Sequence, residues 1–184
     1  MDIVPLAIPD LKLARPKRSG DARGWFMETY RRGRMADVGV TADFVQDNQS
    51  FSATRGTVRG LHLQKPPRAQ AKLIRVLSGR IFDVALDLRG SSRTYGRHVA
   101  IELGAEDGVS LYIPPGFAHG FCTLTENVMV AYKVSDTYAP EAEAGVLWSD
   151  PALGIAWPVA GTEAVVSERD RRLPLLSALE PIFP

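Results

Sequence analysis

The feature that most constrains this chain is its punctuation. Its 16 glycines and 13 prolines are spread along 184 residues instead of being pooled in one linker, and short runs rich in Val, Ile, Leu, Phe and Tyr lie between them. Runs that short, cut by residues that turn the backbone, suit the strands of an all-β sandwich or barrel. No repeat at solenoid spacing and no low-complexity tract interrupts the pattern. A chain of this size can bury roughly 70% of the surface its unfolded form exposes. One domain over residues 1–184 therefore needs no disulfide staples.

Period-2 alternation is clearest over residues 72–88. Lys72, Ile74 and Val76 share one face of a first arm, and Ser78 and Gly79 supply a turn. A second arm alternates Phe82, Val84, Leu86 and Leu88 against Ile81, Asp83, Ala85 and Asp87. Read as a hairpin, this stretch sets Lys72 across the ladder from Asp83 or Ala85, so that Asp83 pairs with Lys72 and keeps it charged. A further strand, Val128 to Tyr138, presents Val128, Val130, Tyr132, Val134, Asp136 and Tyr138 on one face. Two tyrosines and an aspartate there mark a face that lines a site. Helix signals are sparse: one short helix from about Arg31 to Val38, stopped by Gly39, and another after Pro174. The expectation is an antiparallel β protein with two small helices.

Charge and cysteine content exclude several classes. Lys and Arg total 22 against 21 Asp and Glu, a net charge of +1. That balance argues against a broad basic nucleic-acid face and against a disordered acidic tail. The single cysteine, Cys122, excludes a disulfide framework and a Cys-based zinc site. Met1 to Leu13 has no basic segment followed by an apolar core, so no signal peptide is predicted. The longest uncharged run, Gly108 to Thr125, holds Pro114, Pro115, Gly116 and Gly120, which a spanning helix would not carry together. A cytoplasmic protein with no membrane and no nucleic-acid partner is the expectation.

Histidine chemistry must be built from His62, His98 and His119. Gly108 to His119 has the form G-x5-P-x-G-x2-H, which resembles the second signature of the cupin superfamily, a small jelly-roll barrel with a site in its mouth. The first cupin signature supplies His-x-His and a later Glu for a metal. Here the corresponding stretch places Gln64 two residues beyond His62, and Gln is a poor ligand for metals that imidazole suits. A metal-free cupin without a cofactor is therefore expected, and its chemistry must come from acid, base and electrostatics. His62 is a candidate base because imidazole titrates near neutral pH; the plainer alternative is a core histidine satisfied by backbone. Lys72 begins a strand with its side chain turned toward the barrel interior, an unusual place for lysine. Tyr132 would complete a base, a cation and a phenol at one barrel mouth. His98 sits in a polar turn-and-strand context and reads as structural.

Nine blocks in order make the resemblance specific. They are DARGWFME from Asp21, FVQDNQS from Phe44, TVRGLH from Thr57, AKLIRV from Ala71 and VALDLR from Val84. IPPGFAHGF from Ile113, YKVSDTYAPE from Tyr132, DPALGIAWP from Asp150 and SERD from Ser167 complete the set. Together they resemble the dTDP-4-dehydrorhamnose 3,5-epimerase family over nearly the whole chain. That resemblance implies a cupin jelly roll with a few short helices, and an isomerase that inverts carbons 3 and 5 of a 4-keto-6-deoxy hexose carried on dTDP. Both carbons are α to the ketone, so either deprotonation gives an enolate whose charge settles on the same oxygen. It further implies His62 as the base, Asp170 on its other ring nitrogen, Lys72 at the enolate oxygen and Tyr132 as proton donor from the opposite face. Substrate-binding positions carried over by the resemblance are Arg23, Phe26, Glu28, Gln46, Asn48, Arg59, His119, Glu143 and Arg169, with Tyr138 stacking on the thymine. A homodimer exchanging an N-terminal strand is implied as well.

Two points depart from a simple match. The residue after His62 is Leu63, where the family commonly has an aromatic. Strict alternation also puts Arg59 and His62 on opposite faces; either a bulge at Gly60 realigns Arg59 or Arg59 reaches in from a neighbouring subunit. The rival readings are a single-carbon epimerase or ketoisomerase on the same class of substrate, a non-catalytic sugar-nucleotide sensor, and a metal-dependent cupin oxygenase.

Overall fold

A computed structural model describes residues 1–183. In chain order the strands begin with β1 (Asp2–Pro5), β2 (Lys12–Arg15), β3 (Arg18–Asp21), β4 (Gly24–Met27) and β5 (Gln46–Ser52). Next come β6 (Thr57–Gln64), β7 (Lys72–Ser78), β8 (Arg80–Asp87), β9 (His98–Gly104) and β10 (Ser110–Ile113). β11 (Phe117–Thr123), β12 (Val128–Val134), β13 (Glu143–Gly145) and β14 (Val165–Val166) complete them, with short helices α1 (Arg32–Ala36) and α2 (Glu168–Arg171).

Two antiparallel sheets face each other. The first runs β1-β2-β10-β7-β12-β5 and the second β13-β6-β11-β8-β9, with β14 added parallel to β6. Alternation places every second side chain in the space between them. Ile74, Val76, Leu111, Ile113, Val128 and Val130 from the first sheet pack against Ile81, Ala85, Phe117 and Phe121 from the second. The intervening residues cover the outer faces. Leu61, Leu63, Val84 and Leu86 sit under Val146, Leu153 and the C-terminal segment, while Leu73 and Tyr112 sit under Met35 of α1 and Val40. Leu63 thus packs in the cluster on the outside of its sheet. No helix among the described residues is long and apolar enough to cross a membrane.

Residues 72–88 are not a hairpin. β7 pairs with β10 and β12, whereas β8 pairs with β11 and β9, so the chain leaves one sheet and enters the other at Gly79. Gly79 has φ +74°, and a Cβ there would meet Thr125 Oγ1 at 2.5 Å. The alternation itself holds, but Lys72 and Asp83 stand on opposing sheets and are not ladder partners. Three other expectations change in extent. The strand from Val128 ends at Val134, leaving Asp136 and Tyr138 outside it. The first helix is confined to Arg32–Ala36, and among the described residues only a 3₁₀ turn at Leu176–Ala178 follows Pro174. The helix that matters to the site, α2, was not anticipated. Its signal lies in Ser167, whose side chain accepts the backbone N–H of Asp170 and caps the first turn.

Candidate active site

Where the two sheets part, a cavity of about 490 Å³ opens. Arg59 and His62 of β6, His119 of β11, Lys72 of β7 and Tyr132 of β12 line it, with Arg169 and Asp170 of α2 at one side. A second cavity of about 280 Å³ adjoins it, sharing His62, Lys72 and Tyr132 and adding Gln46, Asn48, Tyr138 and Glu143. The two read as one cleft with these three residues at its waist.

A bulge at Gly60 brings Arg59 and His62 to the same side. Along β11, His119 pairs with His62 and Phe121 with Arg59, so Gly60 and Leu61 together oppose Gly120 alone. The extra residue shifts the alternation by one, which turns Arg59 inward. Only glycine fits: φ is +110°, and a Cβ would meet the His119 carbonyl oxygen at 2.6 Å. The Arg59 guanidinium is held by donation to Ser52 Oγ at 3.1 Å and to the Phe51 carbonyl at 2.9 Å. Alternation alone misplaces this residue, and Gly60 is the sequence signal of the correction.

His62 Nε2 lies 2.7 Å from Asp170 Oδ1, and Asp170 Oδ2 accepts the Gly60 N–H at 3.0 Å. Burial pushes the Asp170 carboxyl up, yet the hydrogen bonds from His62 and Gly60 outweigh it and hold the group below its ordinary range. An ionised carboxylate only accepts, so Nε2 carries the hydrogen and Nδ1 is the nitrogen available for chemistry. A parallel arrangement exists one strand over, where His119 Nε2 lies 2.9 Å from Asp83 Oδ2. The proposed direct pairing of Asp83 with Lys72 is thus replaced by a bond to His119. The signal for this lay in β8, whose inward face carries Asp83 between Ile81 and Ala85.

Lys72 Nζ donates to the His62 carbonyl at 3.1 Å. Burial lowers its pKa to about 8, against the opposing pull of Asp83 and Glu143. Burial raises the Tyr132 phenol, which therefore keeps its proton at neutral pH. Tyr132 stands on the first sheet and His62 on the second, on opposite walls of the cleft. At the outer end, Tyr138 donates to Glu143 Oε2 at 2.7 Å, and Arg169 pairs with the same carboxylate. Gln64, at the cupin metal-ligand position, donates to the carbonyls of Arg68 and Thr137 and accepts the Ala139 N–H, clamping the loop that carries Tyr138.

The model for dTDP-4-dehydrorhamnose 3,5-epimerase matches residues 5–178. The chain belongs to the dTDP-4-dehydrorhamnose 3,5-epimerase family. A family member from Sinorhizobium fredii is 48% identical over 182 residues, covering 97% of this chain and 91% of that protein. The crystal structure of the Bacillus anthracis enzyme with TDP and pyrophosphate bound is 46% identical, with a TM-score of 0.92 over 95% of this chain and 99% of the other. The Legionella pneumophila epimerase in complex with dTDP-4-keto-L-rhamnose is 40% identical, with a TM-score of 0.92 over 97% and 94% of the two chains.

Measured against the positions expected of a 3,5-epimerase, three residues are not in the cleft. Arg23 and Phe26 lie on the hairpin of β3 and β4, which pairs with neither sheet. There Phe26 is 76% exposed, and Arg23 is bound to its neighbour Asp21. Glu28 follows the hairpin and accepts from Arg31. Within one copy of this epimerase-family chain, these three expected positions therefore stand apart from the cleft.

Proposed function

We propose that this chain epimerises dTDP-4-dehydro-6-deoxy-D-glucose at carbons 3 and 5, giving dTDP-4-dehydro-L-rhamnose for deoxysugar biosynthesis. The observation that carries the reading is the placement of an oriented imidazole and a protonated phenol on opposite sheets, with the Lys72 ammonium lining the same cleft. Inversion needs groups on both faces of the sugar ring, because a lone base would only return the proton to the side it left. His62 Nδ1 takes the proton α to the ketone, and the electron pair of that C–H bond becomes the enolate. The charge settles on the ketone oxygen, where the Lys72 ammonium stabilises it. Tyr132 then gives its hydroxyl proton to the opposite face. The imidazolium and the tyrosinate return to their starting forms by exchange with water, and the second carbon follows by the same route. His119 contacts the sugar, Arg59 and Arg169 take the diphosphate as charged donors, and Tyr138 stacks on the thymine with Gln46, Asn48 and Glu143 beside it.

Incubation with the 4-keto-6-deoxy substrate in deuterated water tests this directly. Deuterium at both carbon 3 and carbon 5 is the expected outcome, since each incoming proton comes from a solvent-exchanged group. Label at one carbon alone would reduce the chain to a single-carbon epimerase, and absence of label would remove the catalytic reading.

The reading includes a homodimer that exchanges the N-terminal hairpin. The hairpin leaves Trp25 57% and Phe26 76% exposed, and β5, beside the cleft, is an open sheet edge. A second copy laid along that edge covers both liabilities and delivers Arg23, Phe26 and Glu28 to the nucleotide end. Two inactive variants, Arg23→Ala and His62→Ala, should then complement when mixed and re-equilibrated. Half of the dimers are mixed and each holds one intact site, so about a quarter of wild-type activity returns. A mixture that stays inactive places Arg23 in its own subunit's site. The one cysteine, Cys122, is buried and unpaired, which suits a reducing, cytoplasmic compartment.

A further inference from the structure

We propose that Asp83 is a positioning residue for this reaction: from the inter-sheet core behind His119 it fixes the ring of that histidine and supplies negative charge that balances the Lys72 ammonium. Asp83 is fully buried on β8, between Ile81 and Ala85 of the inter-sheet core. Oδ2 is engaged by His119 Nε2, but Oδ1 is buried with no hydrogen-bond partner. A carboxylate in apolar surroundings costs several kcal/mol unless it is paired, and a hydrophobic side chain of similar volume would pack there at least as well. Stability does not account for it.

The groups around it do. Sharing the cleft walls with Lys72 are His62 and Arg59 of β6, His119 of β11, Tyr132 of β12, Glu143 of β13 and Asp170 of α2. Two of these are acids, and both are engaged: Asp170 by His62 and Gly60, Glu143 by Arg169 and Tyr138. Asp83 is the acid with an oxygen, Oδ1, that no partner engages, and its charge, with that of Glu143, favours the protonated form of Lys72. The same carboxylate sets the tautomer of His119, since an ionised acid only accepts and so keeps the hydrogen on Nε2. His119 Nδ1 is then presented to the sugar. His62 and His119 are register partners across β6 and β11, so the cleft holds two imidazole–carboxylate pairs side by side. One abstracts the proton, and the other holds the substrate and the charge of its neighbour.

This inference rests on the epimerase reading above, and the test keeps the two apart. Asp83→Asn preserves shape and removes charge. Its kcat is expected to fall about 10²-fold, as for loss of a preorganised electrostatic contact, with KM and dTDP affinity within about threefold. The basic limb of its pH profile, which Lys72 places near 8 in the wild type, is expected at lower pH. A merely structural aspartate would leave that limb where it was, and an unmoved limb or a kcat within about threefold of wild type overturns the proposal. Should the variant fail to fold, ¹⁵N spectra of the wild-type imidazoles decide, because only three histidines need assigning. Hydrogen on His119 Nε2 beside an ionised Asp83 is the expected result; a neutral Asp83 donating to an unprotonated Nε2 overturns it. Absence of label at carbons 3 and 5 in the wild type would instead sink the epimerase reading, whatever Asp83 does.

Discussion

His62→Ala is expected to lower solvent exchange at carbons 3 and 5 by about 10⁴-fold, the upper range for loss of a positioned general base, while dTDP affinity stays within about threefold. The reason is geometric. His62 faces the waist of the cleft, whereas the residues assigned to the diphosphate and thymine, Arg59, Arg169, Tyr138 and Glu143, lie on the walls to either side. Truncating the imidazole removes the atom proposed to take the proton and leaves those anchors in place. It also strands Asp170, whose Oδ1 loses its partner but whose Oδ2 keeps the Gly60 N–H, so the bulge that orients Arg59 persists. Mass spectrometric exchange in deuterated water and calorimetric titration with dTDP measure the two quantities on one sample. Residual exchange above about one part in a hundred would mean that another group removes the proton, since a positioned base contributes at least that much.

Lys72→Met carries the second large effect. Methionine fills much of the same space without charge, so the enolate oxygen loses its cation and kcat should fall about 10² to 10³-fold, as for other oxyanion donors. In the proposed role Lys72 acts as the ammonium, whose pKa is about 8. Activity carried by that charge is present below pH 8 and disappears as pH rises through it. The wild-type profile of kcat/KM should therefore show a basic limb near 8, and Lys72→Met should lack it. Persistence of the limb in the methionine variant would assign it to a group other than Lys72. KM should change little, because the ammonium acts on charge that develops after binding.

Much of the site was legible residue by residue, for a local reason. Alternation of polar and apolar residues reports which side chains share a face, and it correctly set Lys72 with Ile74 and Val76, and Tyr132 with Val130 and Val134, on inward faces. Where the alternation failed, at Arg59, a glycine marked the slip, since a bulge with positive φ admits little else. Ser167 three residues before Asp170 carried the helix cap that aims that carboxylate, a signal within reach of sequence but easily passed over in a helix of four residues. The pairing of Asp83 was misread, because the stretch around Ser78 and Gly79 looks like a turn between ladder partners and is instead the corner between two sheets.

The spread of glycine and proline set the number and brevity of the strands, and period-2 patterning set which side chains point inward; both are properties of a few neighbouring residues and need no knowledge of the rest of the chain. Strand partners are another matter. β7 meets β10 and β12, and β6 meets β11, across separations of dozens of residues. Such pairings are chosen by the burial of whole faces at once. Only that choice puts His62 and Tyr132 on opposite walls, turns Asp83 toward His119 and leaves the β3–β4 hairpin outside the cleft that its residues are expected to complete.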